Sequence, residues 1–210
     1  MRTSFLILFL VLCGLAGPGI APARAAGGPA ILVVGDSLSA GYGLRPGQGW
    51  VSLLEDRLSA QGYEYRVVNA SVSGETTVGG LERLPRALEK HRPAVVILEL
   101  GANDGLRGLP VAELEANLES MIQMSRAAGA KVLLTGIRIP VNYGPRYAEQ
   151  FFAVYGELAQ RYKLALVPFI LEGIGVDETM FQADGIHPNP EAQAILLDNV
   201  WSALQPLLGH

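Results

Sequence analysis

The chain has 210 residues, 50% of them hydrophobic and 17% charged. That is enough apolar material for one full core, so a disordered chain is excluded and one domain suits the length better than two. The formal charge of -4, with no Lys/Arg run interleaved with aromatics, excludes the basic footprint of a nucleic-acid binder.

The first 25 residues read as a processing signal. Arg2 precedes an unbroken apolar run from Phe5 to Leu12, Pro18 and Pro22 break it, and Ala23-Arg24-Ala25 sets small residues three and one before a cut ahead of Ala26. Residues 1–25 are therefore expected to be a signal peptide and residues 26–210 the domain, exported to the periplasm or secreted. The apolar run is well short of the ~20 residues that span a bilayer, so no stable membrane anchor is expected. Bulky Leu12 argues against lipidation of Cys13. Cleavage removes that cysteine, the only one, and leaves neither a disulfide nor a cysteine nucleophile.

Strand-like runs follow at 30–34, 65–69, 94–100, 131–135 and 164–167. The first, third and fourth are nearly continuous Val, Ile and Leu, the pattern of parallel strands covered on both faces. Between them lie helical stretches. In 111–128, Leu114, Leu118, Met121, Ile122 and Ser125 share one helix face and Gly129 stops it. A last helix carries Ala192, Ile195, Leu196, Asn199, Val200, Ala203 and Leu204, with Asn189 expected as its cap and Pro190 as its first residue. The alternation predicts an α/β fold: a three-layer αβα sandwich around a flavodoxin-like, five-stranded parallel sheet in the order 2-1-3-4-5.

Such a sheet binds at the carboxyl ends of its strands, where strand order reverses. There the first strand runs into Gly35-Asp36-Ser37, which taken alone is the chemistry of a plain βα turn with a helix cap. The loops expected around it carry more. Gly74, in Ser71-Val72-Ser73-Gly74-Glu75-Thr76, can bring a bare backbone N–H to a ligand, and Asn103, in Gly101-Ala102-Asn103-Asp104-Gly105, can offer its amide. With the N–H of Ser37 these make three convergent donors, as an oxyanion hole requires.

A serine nucleophile needs a base. His91 follows a charged helix and reads as a solvated helix end, and His210 is terminal. His187 lies in Ala183-Asp184-Gly185-Ile186-His187-Pro188, where Asp184 can fix one ring nitrogen while the other faces a serine. The irregular stretch 169–184 is longer than a plain connection needs and can carry this pair back toward the first strand. Asp36, beside the serine, is expected to tie the turn through backbone N–H groups. Trp50 and Trp201 are expected to be packing anchors.

GDSLS, SVSGET, GAND and DGIH occur in that order across nearly the whole mature chain. Together they resemble the GDSL esterases, or SGNH hydrolase superfamily. VVNASVSGET, ELGANDGLRG, IRIPVNYGPRY and DGIHPN look like its bacterial periplasmic esterase/thioesterase I group, also called lysophospholipase L1 or arylesterase. The resemblance implies an ester hydrolase with Ser37, Asp184 and His187 as its triad and Ser37, Gly74 and Asn103 as its oxyanion hole. It also implies an acyl wall of Leu106, Ile139, Pro140 and Ile186, with Tyr143, Arg146 and Tyr147 bordering the leaving group. Ala102 departs from the glycine expected in this group. No cofactor or metal is expected, the partner is a small acyl ester, thioester or lysophospholipid, and the chain is expected to be a monomer.

Two other readings are weaker. The α/β-hydrolase elbow G-x-S-x-G fails because Ser39 fills its second glycine position. Gly41, Gly43 and Gly47 loosely resemble the dinucleotide fingerprint of a nucleotide- or flavin-binding module, but the spacing is one residue long. The second strand also ends on Asn69 without an acid for a ribose.

Overall fold

The computed structural model describes residues 27–175 and 177–209; the expected signal peptide, residues 1–25, and His210 lie outside them. Five strands, β1 (Ala30–Gly35), β2 (Arg66–Asn69), β3 (Val95–Glu99), β4 (Lys131–Thr135) and β5 (Ala165–Val167), pair in parallel in the order β2-β1-β3-β4-β5. The expected order is present. Strands β1 and β3 are buried along their whole length, which is why both read as unbroken apolar runs.

Among the described residues seven helices surround the sheet: α1 (Ser37–Ala40), α2 (Trp50–Ala60), α3 (Thr77–His91), α4 (Ala102–Leu106), α5 (Val111–Ala127), α6 (Pro145–Tyr162) and α7 (Gln193–Leu204). Helix α2 packs on α7, while α3 packs on α5 and α5 on α6, giving the two outer layers of the sandwich. Trp50 is fully buried, and its backbone N–H donates to Gln193 Oε1 at 3.0 Å, tying the first turns of α2 and α7. Trp201 meets the edge of Tyr63 at 5.9 Å and lies under the Arg57 guanidinium. Both tryptophans are the anchors expected of them.

The start of α7 differs from expectation. Asn189 Oδ1 accepts the Ala192 N–H at 3.1 Å as a cap would, but residues 190–192 form a turn and the regular helix begins at Gln193. The Gln193 N–H bonds to Pro190 O, only three residues back, so the first turn is wound too tightly to be α-helical.

Because β1 sits between β2 and β3, the chain reverses direction across the sheet after β2, and a crevice opens at the carboxyl ends of β1 and β3. The register sets Gly35 beside Glu99 at those ends. A Cβ at position 35 would lie 2.7 Å from Glu99 Oε2 and from Ser39 Oγ, so the glycine that opens the GDSLS block makes room for a buried acid.

Candidate active site

Strand β1 hands the chain to Asp36, which is fully buried and accepts the Leu38 N–H at 3.0 Å through Oδ1. It caps α1, as expected. Ser37 is the first residue of that helix and is half-buried at the mouth of the crevice. Below it, Ser39 Oγ–H donates to Glu99 Oε2 at 2.6 Å. Burial pushes the Asp36 carboxyl up to about 6. Burial and then the neighbouring Asp36 push Glu99 well above the ordinary carboxylate range.

The loop after β2 turns at residues 72–75, where the Glu75 N–H bonds to Val72 O at 3.1 Å and Gly74 has φ +79°. Nothing lies within 4 Å of where a Gly74 Cβ would sit, so the glycine serves the backbone conformation rather than a close approach. Beyond β3, Gly101 at φ +122° swings the chain into α4. Asn103 Nδ2 then donates to Glu75 O at 2.9 Å and makes a longer 3.3 Å contact to Asp36 Oδ2. The adjacent Asp104 does something different: its buried carboxylate accepts the N–H and hydroxyl of Thr77 at 2.9 and 2.5 Å, capping α3.

His187 closes the site. Its Nδ1 is 2.7 Å from Asp184 Oδ2 and its Nε2 is 2.9 Å from Ser37 Oγ. With the Nδ1 proton on the Asp184 side, the Nε2 lone pair faces the serine hydroxyl. The other Asp184 oxygen accepts the N–H groups of Ile186 and His187 at 2.9 and 3.0 Å. The His187 N–H is the largest influence, followed by the imidazole, and together these bonds hold the Asp184 carboxyl down at about 2. The loop that delivers the pair is stitched back on itself by Gln182 N–H to His187 O and Asn189 N–H to Met180 O. Gln182 Nε2 also donates to Tyr42 O at 2.8 Å, and the Tyr42 ring lies 4.5 Å from the imidazole centroid.

Ser37, Asn103 and His187 open onto one cleft of about 380 Å³. Leu106, Ile139, Pro140 and Ile186, the four expected wall residues, all line it. Leu106 and Ile186 are exposed apolar side chains and Ile139 is buried behind them. Tyr143, Arg146 and Tyr147 lie outside this lining, and Tyr147 instead donates its hydroxyl to Leu109 O at 2.7 Å. Sequence reasoning missed Ile137 and Leu171. The first was legible as an apolar residue just past β4, whereas Leu171 sits in irregular chain with no periodicity to flag it. The glycines once read against a dinucleotide fingerprint have local reasons: Gly41, at φ 73°, ends α1, and Gly43 leaves room for the Gln182 amide.

A serine hydroxyl held against an imidazole that is itself held by an ionised carboxylate can be deprotonated as it attacks a carbonyl. Set at the switch point of a parallel sheet, beside an apolar cleft, this constellation defines a class: serine hydrolases of ester bonds.

The chain belongs to the GDSL-like lipase/acylhydrolase family, whose model matches residues 33–195. It is 61% identical over 178 residues to esterase TesA of Pseudomonas aeruginosa, covering 85% of this chain and 89% of that protein. It is 44% identical over 187 residues to thioesterase 1/protease 1/lysophospholipase L1 of Escherichia coli, covering 89% and 88%. The crystal structure of AlinE4, an SGNH-hydrolase family esterase, superposes with a TM-score of 0.72 at 38% identity, over 87% of this chain and 97% of that one. The chain is thus an ester-bond hydrolase of the GDSL family with the SGNH fold.

Proposed function

We propose that the protein hydrolyses carboxylic esters, acyl thioesters and lysophospholipids through an acyl-enzyme on Ser37. His187 takes the hydroxyl proton as Ser37 Oγ bonds to the acyl carbon, and the carbonyl oxygen becomes an oxyanion. The N–H groups of Ser37 and Gly74 and the Asn103 amide stabilise that charge. As the tetrahedral species collapses, the bond to the leaving oxygen or sulfur breaks and the leaving group receives the proton from the imidazolium. Water then repeats the sequence on the acyl-enzyme, with His187 again as base. Leu106, Ile139, Pro140 and Ile186 hold the acyl chain. Residues 1–25 direct export, which sets this chemistry in the periplasm or outside the cell.

The observation that carries this reading is the continuous relay from Asp184 Oδ2 through His187 to Ser37 Oγ, at 2.7 and 2.9 Å. A phosphonate ester tests it. The wild-type protein should gain one covalent adduct, on Ser37, and lose its esterase activity in proportion, while Ser37→Ala should be folded, unlabelled and inactive. An adduct on another residue, or activity retained in Ser37→Ala, rejects the assignment.

A further inference from the structure

Arg83 projects from α3 into the space beneath the loops that carry the donors. Its Nε donates to Glu75 Oε2 at 2.6 Å, its Nη1 donates to Ala70 O, and its Nη2 approaches Gly35 O at 3.4 Å. These acceptors belong to the Gly74 loop, the end of β2 and the end of β1. The carbonyl of the same Glu75 accepts the Asn103 amide at 2.9 Å, which adds the segment after β3. The guanidinium and the Glu75 carbonyl between them tie together the three segments bearing Ser37, Gly74 and Asn103, and the rigid fork of the arginine suits it to its share. The pair is mostly sheltered, with 27% of the Arg83 side chain and 15% of the Glu75 side chain exposed.

A second observation is independent of the first. Gly79 lies inside α3, where glycine weakens a helix relative to alanine. A Cβ there would overlap the Glu75 carboxylate, whereas a Cβ at the neighbouring Gly80 would overlap Leu100. Gly80 is explained by packing of α3 on the sheet; Gly79 is explained by the space Glu75 occupies.

We propose that Arg83 and Glu75 are positioning residues for the oxyanion donors, holding the Gly74 N–H and the Asn103 amide in register with the Ser37 N–H, and that Gly79 gives up helix stability to admit the Glu75 carboxylate. The proposal rests on the oxyanion reading of Asn103 and Gly74. A purely structural ion pair would alter stability and leave turnover per folded molecule unchanged.

Steady-state kinetics of Glu75→Ala, Arg83→Gln and Gly79→Ala, each alone and combined with Asn103→Ala, separate the possibilities when normalised to sites titrated by a phosphonate. Each single variant should lower kcat roughly 10- to 100-fold, as a small misplacement of a catalytic group does, with KM nearly unchanged. The losses should shrink in the Asn103→Ala background, and Gly79→Ala should add nothing to Glu75→Ala. Gly79→Ala should stay folded, because the group it displaces is the free end of a flexible side chain. Wild-type kcat in Glu75→Ala and Gly79→Ala, beside an impaired Asn103→Ala, overturns the proposal and leaves the oxyanion reading standing. Wild-type kcat in Asn103→Ala overturns that reading and the proposal with it.

Discussion

Ser39 donates a 2.6 Å hydrogen bond to Glu99 in a space closed to water, directly beneath the turn that presents Ser37. The bond joins the end of β1 to the end of β3, and Gly35 is what lets the acid fit. Burial and the nearby Asp36 raise the Glu99 pKa, and burial raises that of Asp36. The folded state therefore keeps protons that the unfolded chain has already released. Stability falls as pH rises from the unfolded carboxylate value, about 4, toward the raised folded values. Glu99→Gln removes one ionisation while keeping an acceptor for Ser39. Its urea midpoint should exceed the wild-type value by a margin that grows with pH above about 4. Ser39→Ala, by contrast, should cost about 1 to 3 kcal/mol.

Asp184 behaves in the opposite sense. Its folded pKa of about 2 is depressed by the His187 N–H and imidazole, so its small contribution to stability is present above the unfolded value and lost as pH falls toward 2. With 36% of its side chain exposed, solvent screens much of that contribution. The kinetic consequence is larger. Ionised down to a pH of about 2, the Asp184 carboxylate is available to hold the imidazole proposed as the base. Asp184→Asn should lower kcat by roughly 10⁴-fold. Steady-state kinetics of Asp184→Asn beside the wild type check this.

Asn103 offers the sharpest division between turn-forming and catalytic roles. Its amide already has one partner, Glu75 O, at ordinary distance, and only a long contact to Asp36 on the other side. Its second N–H thus has capacity for a stronger acceptor in the transition state. Asn103→Ala should leave KM almost unchanged and lower kcat roughly 10²- to 10³-fold, or about 2.7 to 4 kcal/mol. A variant with a lower melting temperature and wild-type turnover would assign Asn103 to the turn alone.

Ile186 stands at the cleft beside His187 with 56% of its surface exposed, so truncating it should barely change stability. Acyl chains that cover it should lose about 0.8 kcal/mol, near fourfold in kcat/KM, per methylene contact removed. Comparison of Ile186→Ala with wild type across p-nitrophenyl esters should therefore show no loss for acetyl and a growing loss as the chain lengthens to the point where it passes Ile186.

Much of the fold was legible because a parallel sheet covered on both faces demands unbroken apolar strands, and the runs at 30–34, 94–100 and 131–135 could be little else. The structure extends the first to Gly35, trims the second to Val95–Glu99, leaves the third unchanged and places them in the expected order. The four short blocks were legible for a related reason: a tight turn, a donor loop and an Asp–His turn each need particular residue types within a few positions. Their meeting was not a local property. His187 reaches Ser37 across 150 residues, and only the reversal of strand order and the stitched loop after β5 decide that it does. The supporting contacts were invisible for the same reason. Glu99, Ser39, Arg83 and Gly79 stand in no local pattern that marks their partners. Local sequence determines which backbone each segment can adopt, because propensity, periodicity and turn chemistry act over a few residues. Which buried acid faces which serine, and which guanidinium joins the ends of β1 and β2, depends on side chains brought within hydrogen-bond reach by packing, and tertiary structure alone decides that.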